Sequence, residues 1–287
     1  MKHVYGWLLL APAAILLVGF THYPAVATLA DSFFSPGTAL RPARFVGLDN
    51  YAALGADPVF WQVLRNNFWF ALGTIPTSIA LALVMALWVN ARLPGRALAR
   101  LSYFTPTVLP MIAVANLWLY FYTPQIGLLD KVTAFFGAPS HNWLGNPDTV
   151  MGCVIAMTIW KEAGFFMIFY LAALQTLPPE LEEAARIEGA SRGYFFWRVT
   201  FPLLMPTTLF VLVNATINSF KLVDHLFILT KGGPDNASNL LLYYIYQVAF
   251  SYLDTAYAAT LTVILLAILA LLAVVQFRMI ERRVHYR

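Results

Sequence analysis

Several polar side chains stand inside long apolar runs, where they are candidates for contact with a solute. One set recurs at offsets of 0, 4 and 7, on one face of a helix: Asn214, Asn218 and Lys221. His225 extends this face, and Asp224 lies three residues after Lys221, so that these two charges can pair. Polar groups inside a membrane are costly and usually face a cavity or another helix. The stripe predicts the lining of a translocation pathway; helix–helix contact and a position at the outer interface are the alternatives.

Two other sets combine tryptophan with polar residues: Trp160, Lys161 and Glu162 are consecutive in one run, and Asn116 and Trp118 stand in another. An aromatic face can stack on a sugar ring whose hydroxyls need hydrogen bonds. We therefore expect these residues to contact a carbohydrate. Plain packing is the alternative for Trp160, and contact with a partner subunit is the alternative for Asn116 and Trp118.

The charge of the solute stays open. Lys161, Lys221 and His225 suit an anionic group such as a phosphate or sulfonate. Glu162 and Asp224 can neutralise these cations, so the sequence predicts neither a neutral nor an anionic solute.

Motifs of common reactions are absent from the sequence. It contains no G-x-x-x-x-G-K-[ST], no H-E-x-x-H and no G-x-S-x-G, and Cys153 is the only cysteine. We therefore expect no P-loop ATP site, no metal centre and no catalytic residues. The histidines are scattered along the chain: His3, His22, His141, His225 and His285.

Composition decides the class of protein. The 287 residues are 60% hydrophobic and 11% charged, with a mean hydropathy of +0.68. Soluble domains average roughly 45–50% apolar and about 25% charged residues. A soluble globule is excluded, as are a disordered chain and a disulfide scaffold. The net charge of +4 fits basic membrane loops better than nucleic-acid binding, since no basic cluster is interleaved with aromatics.

We predict an all-α polytopic membrane protein with about six spanning helices in one transmembrane domain, 1–287. The unbroken apolar runs exclude a barrel, whose strands alternate in segments of about ten residues. The first run resembles a signal peptide around Ala25-Val26-Ala27, but we expect a retained helix. The spans are predicted at about 5–30, 63–90, 101–122, 149–174, 203–229 and 255–279.

Basic residues predict the orientation, because cytoplasmic loops collect Lys and Arg. With both termini inside, eleven basic residues lie in inner segments and five in outer segments. The outer segments are then 31–62, 123–148 and 230–254. We interpret 123–148 as irregular and 239–250 as a short helix at the outer interface. The inner set is Lys2, Arg92, Arg96, Arg100, Arg186, Arg192, Arg198, Arg278, Arg282, Arg283 and Arg287; the outer set is Arg41, Arg44, Arg65, Lys131 and Lys231.

The inner segment 175–202 concentrates charge in a chain that has little. Pro179 can open a helix whose first turn carries acidic residues, which suit the helix dipole. Gly189 ends that helix, and Ser191 can cap the next one. We predict two short helices bent at Gly189. A solvated connector between spans is the alternative.

This segment resembles the EAA loop of permeases in ATP-binding-cassette importers. The pattern is Glu183-Ala184-Ala185, three residues, Gly189, nine residues, and Val199-x-Phe201-Pro202. The family pattern ends I-x-L-P, from which Val199 and Phe201 depart conservatively. The likeness covers nearly the whole chain, including FVGLDNY (45–51), LTKGGPDNAS (229–238) and the ending VVQFRMIERRVHYR. It is most similar to the first permease subunit of sugar and glycerol-3-phosphate importers of the maltose-transporter type.

The resemblance implies a function and partners. The EAA helix, with Glu183, Ala184, Ala185 and Gly189, would dock on a cytoplasmic ATPase subunit. Two ATPase subunits, which bind ATP and magnesium, would work with a second permease and a periplasmic binding protein in the bacterial inner membrane. The chain itself would hold no cofactor.

Two other classes of protein compete with this interpretation. A stand-alone secondary transporter would need an internal ion site and commonly shows repeats. An intramembrane enzyme would need a nucleophile–base pair or a metal set, and Glu162, Asp224 and His225 form no recognisable one.

Overall fold

The computed structural model describes residues 2–37, 42–91 and 95–281. Within these ranges the regular structure is helical, apart from an isolated antiparallel bridge between Phe34 and Phe45. Several residues used above for orientation or for metal ligation lie outside the described ranges: Arg41, Arg92, Arg282, Arg283, His285 and Arg287.

The α-helices are numbered in chain order, and short π-helical turns interrupt them at Val18–His22, Phe196–Thr200 and Gln247–Ser251. The α-helices are α1 (Lys2–Leu17), α2 (Tyr23–Asp31), α3 (Asp49–Ala56), α4 (Pro58–Asn90), α5 (Arg96–Val108), α6 (Met111–Tyr122), α7 (Leu128–Phe135), α8 (Pro147–Gln175), α9 (Pro179–Ile187), α10 (Arg192–Phe195), α11 (Phe201–Leu203), α12 (Met205–Lys221), α13 (Asp224–Leu229), α14 (Leu241–Tyr246) and α15 (Thr255–Glu281).

Four stretches of the described chain are long and apolar enough to cross a membrane as single helices: Leu9–Asp31, Pro58–Asn90, Pro147–Gln175 and Thr255–Arg278. Two bent pairs raise the number to six if each pair is one span. The first pair, Arg96–Val108 with Met111–Tyr122, bends by 102°, and the second, Arg192–Leu203 with Met205–Leu229, bends by 65°. The predicted all-α membrane class is confirmed.

The third and fifth spans are not the continuous helices that the sequence predicted. Pro110 supplies no amide hydrogen, and Leu109 before it is extended, with φ −71° and ψ 137°, which ends α5. In the fifth span, Pro206 has no amide hydrogen with which to continue the preceding helix. The helix is interrupted at Leu204, and α12 begins after it. A second interruption follows Lys221, where Leu222 is extended; nothing in the structure explains it.

The outer segments also hold more helix than predicted. The segment 123–148, expected to be irregular, contains α7, and 31–62 contains α3. The short helix expected at 239–250 is present as α14 and the π-helical turn that follows it.

The chain divides into two compact units. One comprises residues 1–61 and 241–268. In it, the hydroxyls of Tyr244 and Tyr257 each donate to Asp57 Oδ2 at 2.7 Å. Burial raises the pKa of the Asp57 carboxyl, but these bonds and two backbone amides outweigh burial and hold the pKa below its usual value.

The other unit comprises residues 62–240 and 269–287. Its core joins α4, α8 and α12 through buried side chains that include Ala86, Phe166, Tyr170 and Val211. Helices α5 and α8 approach closely at Gly164. A Cβ atom at this position would overlap the carbonyl oxygen of Tyr103, so the contact requires glycine. Every candidate site residue lies in this unit.

Candidate functional site

The predicted pair of short helices is present around Gly189, and we call α9, Gly189 and α10 the elbow. Gly189 has φ +73°, the left-handed conformation that favours glycine. The amide of Gly189 donates to the Arg186 carbonyl at 3.2 Å, and that of Ala190 donates to Ala185 at 2.9 Å, which closes α9 with a Schellman motif. Ser191 Oγ accepts from the Tyr194 amide at 3.2 Å and caps α10.

The two faces of α9 differ. Ala185 is half-buried, whereas Ala184 and Glu183 are exposed. Ile187 is 88% exposed and lies one turn after Glu183, on the same face. Sequence reasoning missed Ile187, although an isoleucine among charged residues was a signal for it. An apolar side chain next to a carboxylate, both facing away from the chain, is suited to a protein partner.

Neighbouring carboxylates on α9 have different surroundings. Glu182 pairs with Arg186 at 3.0 Å, one turn along the helix. Among the described residues, Glu182–Arg186 is the one ion pair, and Glu183 therefore has no ion-pair partner in this part of the chain. The charge of Glu183 is therefore available to another subunit.

Lys161, expected to line a pathway, is engaged within the chain. It is 9% exposed, and Nζ donates to the carbonyls of Leu109 at 2.7 Å, Pro106 at 3.0 Å and Thr107 at 3.4 Å. These carbonyls lie at the break between α5 and α6, where no following helical amide can take them all. The ammonium group therefore supplies hydrogen bonds to the carbonyls at the end of α5 and stabilises the 102° bend.

Glu162 points to the other neighbour of α8. Its Oε2 accepts from Asn218 Nδ2 at 2.7 Å, which joins α8 to α12. A cavity of about 10 Å³ beside this bond is lined by apolar side chains together with Thr74, Ser78 and Thr158. That volume has room for one water molecule. Lys161 and Glu162 therefore contact different helices: Lys161 bonds to the end of α5, and Glu162 bonds to α12.

The stripe on α12 is only partly as predicted. Asn214 and Asn218 are half-buried and Lys221 is exposed, so these three lie on the open face of the helix. His225 does not extend it, because the chain breaks after Lys221 and the histidine turns inward. It is fully buried, stacks on Phe70 at 6.1 Å, and neither ring nitrogen has a hydrogen-bond partner among the described residues.

The pairing expected between Lys221 and Asp224 is not formed. Both side chains are exposed, and within the described chain no ion pair joins them. Asp224 belongs to α13, beyond the extended Leu222, so the spacing of a continuous helix does not apply.

The tryptophans form a separate pair. Trp118 and Trp160 contact edge to face at 5.7 Å, and Trp160 is 39% exposed. Trp160 and Glu162 are two positions apart on α8, so they project about 200° from each other. Asn116, also exposed, donates to the Ile112 carbonyl at 2.9 Å on its own helix. The expected tryptophan plate beside the Lys161–Glu162 pair is therefore wrong in its geometry.

Asp130 is a structural residue that the sequence did not reveal, since nothing around it marks it as central. It is 3% exposed and accepts from Ser140 Oγ at 2.6 Å, the Gln125 amide at 2.7 Å, the His141 amide at 3.0 Å and Trp143 Nε1 at 3.2 Å. The bonds from Ser140 and from the backbone lower the pKa of the Asp130 carboxyl to about 2. It organises the segment between α6 and α8. Across the part of the chain that the structure describes, no group of histidine, cysteine and carboxylate side chains has a metal-binding arrangement.

Comparison with known proteins gives consistent matches. A family model for a binding-protein-dependent transport system inner membrane component matches residues 59–286. The sulfoquinovosyl glycerol transport system permease protein of Agrobacterium fabrum is 33% identical over 277 residues, 96% of this chain and 90% of the relative. The lactose transport system permease protein of Rhizobium radiobacter is 33% identical over 280 residues, 96% of this chain and 93% of the relative.

The fold also has a match among solved structures. A chain of a bacterial ABC transporter involved in import of the acidic polysaccharide alginate superimposes with a TM-score of 0.87. The match covers 98% of this chain and 96% of the other, at 21% identity. This chain therefore shares its fold with a chain of that transporter.

Proposed function

Because this chain belongs to the family of binding-protein-dependent transport system inner membrane components, it is an importer permease of the inner membrane, and we propose that its elbow couples it to an ATPase subunit. The subunit binds neither ATP nor magnesium in this proposal; the partner ATPases do so. A second permease and a periplasmic solute-binding protein complete the importer.

The observation that carries the proposal is the outward face of α9. Glu183 and Ile187 are exposed, and Glu183 has no ion pair among the described residues, while Ala185 is half-buried and the Schellman motif closes the helix. A carboxylate on a rigid helix suits a partner arginine, and the exposed isoleucine adds apolar area around that contact. Gly189 fixes the direction in which the next helix leaves, so that displacement of α9 reaches α10 and the fifth span.

The open face of α12 supports a translocation pathway. Asn214, Asn218 and Lys221 share this face within an apolar span, where polar groups need water, solute or a partner helix. Glu162 joins them through Asn218 and brings a carboxylate oxygen from α8. These four residues offer the donors and acceptors that a polyhydroxylated solute needs.

The remaining candidates take other roles in the proposal. Lys161 positions the α5–α6 bend rather than touching solute. Asp224 lies at the outer end of the pathway, exposed on α13. For Trp160, which projects from α8 away from Glu162, and for Asn116 and Trp118 on α6, contact with solute stays a prediction.

The solute is proposed to be a sugar, a sugar derivative or a similar polyol such as a glycerol phosphate. Relatives of equal identity to this chain are named for an anionic glycoside and for a neutral disaccharide. Lys221, without an ion pair among the described residues, could serve an anionic solute.

The experiment that tests the proposal is identification of what co-purifies with the tagged chain, extracted in mild detergent from its native host. We expect a P-loop ATPase and a second EAA-bearing permease by mass spectrometry. A matched Glu183→Lys variant should lose the ATPase and keep the permease. Recovery of the chain alone, in a form that still supports uptake, would contradict the proposal and favour a stand-alone secondary transporter.

A further inference from the structure

Helix α7 buries the carboxylate of Asp130 and exposes an apolar face, with Lys131 exposed at the edge of that face. Leu128, Val132, Phe135 and Phe136 follow one face at offsets of 0, 4, 7 and 8, and they are 50%, 47%, 86% and 80% exposed. Asp130 on the other side is buried at 3% exposure. A helix on a water-facing surface has the reverse arrangement, so the medium outside α7 is apolar.

Hydrogen bonds fix this inverted orientation. Asp130 is held by the backbone of Gln125 and His141 and by the side chains of Ser140 and Trp143. All four partners lie in the segment that surrounds α7. Rotating the apolar face inward would expose these groups and break the carboxylate network, so α7 cannot hide its phenylalanines against its own segment.

The chain keeps α7 at the membrane surface. It follows the end of α6 after only 123–127, where the Gly127 amide donates to the Thr123 carbonyl at 2.8 Å, and it precedes the start of α8. Both neighbours are membrane-spanning segments. Aromatic residues are enriched where such segments meet the head groups.

An apolar cavity of about 550 Å³ between α6, α7 and α8 adjoins this face, and Leu128 and Val132 of the face also line the cavity. Apart from Asp148 and Thr149 near the start of α8, its lining is almost wholly aromatic or aliphatic, with Phe121, Leu129, Val132, Trp143, Gly152 and Ala156 among its members. The α8 part extends from Thr149 to Ala156, which is about 10 Å along a helix. It therefore reaches from the polar boundary into the hydrocarbon, on the side of α8 away from Glu162.

We propose that α7 is an interfacial helix whose exposed apolar face contacts phospholipid, and that the cavity adjoining this face takes an acyl chain. A sugar does not fit this cavity, because its hydroxyls would meet few polar partners. The leaflet rests on the proposed function. The elbow follows one end of α8 and α7 precedes the other, about 40 Å away, so a cytoplasmic elbow places α7 in the outer leaflet.

Spin labels at adjacent positions test the lipid contact. In a Cys153→Ala background, Phe135→Cys and the matched control Ala134→Cys carry labels about 100° apart around α7, both exposed. The protein, with the subunits that co-purify, is placed in nanodiscs of phosphatidylethanolamine and phosphatidylglycerol. Collision with oxygen, which dissolves in lipid, is compared with collision with a water-soluble nickel chelate.

We expect the ratio of oxygen to nickel accessibility to be several-fold higher at position 135 than at 134. Equal ratios would place the face in water, and low collision with both reagents at 135 would mean that another permease covers it; either result overturns the proposal. The reading needs neither uptake nor ATPase, so it stands apart from failure of the coupling proposal.

A cavity-filling variant tests the acyl chain. Nothing lies within 4 Å of a Cβ at Gly152, so Gly152→Phe should occupy the cavity. Native mass spectrometry should then show fewer retained phospholipids than in the control Gly55→Phe, whose Cβ also meets open space. Equal lipid retention in both variants would contradict binding in the cavity.

Discussion

The elbow and the middle of α8 each present a charged residue in a chain with few charges, but the surroundings of the two residues are opposite. Glu183 is exposed, and the described chain offers it no ion pair. Lys161 is buried and donates to three carbonyls. The first charge is available for another subunit, and the second stabilises the fold.

This difference separates coupling from architecture. Charge in the membrane is usually taken to indicate a transport site. Here the buried Lys161 donates hydrogen bonds to the carbonyls left free where Pro110 interrupts the helix. The exposed Glu183 lies on α9, which ends at Gly189. Substitution of Lys161 should therefore lower the stability of the protein. Substitutions in the elbow should lower uptake while the amount of protein stays constant.

The largest effect on stability is expected for Lys161→Met. The substitution keeps the apolar stem and removes all three hydrogen bonds at the α5–α6 break, at a cost of about 3 kcal/mol in the free energy of unfolding. Thermal unfolding in detergent measures it. The control Lys221→Met removes an exposed cation and should unfold close to wild type; a similar loss in both variants would break the comparison.

Gly189→Ala should be next. A side chain in the left-handed region costs about 1–2 kcal/mol, so the elbow shifts and uptake falls by about tenfold. The control is Gly193→Ala, four residues away inside α10, where no atom lies within 4 Å of the added Cβ. Uptake rates normalised to membrane protein should separate the two. Equal rates would show that the bend does not transmit motion.

Lys221→Gln should have a smaller and selective effect. If the exposed ammonium receives an anionic group, uptake of an anionic solute falls by about fivefold, or 1 kcal/mol, while uptake of a neutral sugar is kept. Competition between labelled solutes measures the ratio. An equal loss for both classes of solute would remove charge recognition from Lys221.

The smallest expected effect is the change that Asp130 makes to the pH dependence of stability. Its folded pKa of about 2 lies below the unfolded value of about 3.9, so its stabilisation is fully present above pH 4 and is lost as the pH falls through 2. Asp130→Asn should therefore differ from wild type in melting temperature more at pH 5 than at pH 2.5. A gap that does not narrow in acid would assign the pH dependence to other groups.

The elbow was predictable from sequence because its signals are local. Pro179 starts α9, Gly189 ends it and Ser191 caps α10, all within about a dozen residues, and each acts on its own turn. Four of the predicted spans were predictable for a similar reason, since each of these apolar runs is long enough to cross a membrane as one helix.

The polar interior was not predictable in the same way. Helical spacing placed His225 with Asn218, but an unforeseen break after Lys221 turned it inward. Pro110 is a local signal for a break in the helix. The contact of Lys161 with the freed carbonyls, more than fifty residues away in the chain, depends on the packing of α5 on α8. Asp130 likewise depends on how its loop folds back on itself.

Glu183→Lys and Glu182→Lys, compared in one uptake assay, test the central claim most directly. Both variants reverse one carboxylate on neighbouring positions of α9, but Glu182 already has its partner in Arg186, an exposed pair worth about 0.3–0.5 kcal/mol. We predict that Glu183→Lys lowers uptake by about tenfold to a hundredfold at unchanged protein amount, since a charge-assisted hydrogen bond is worth about 1.5–3 kcal/mol. Glu182→Lys should stay near wild type. Normal uptake by Glu183→Lys, or an equal loss in both variants, would contradict coupling through the exposed face of α9.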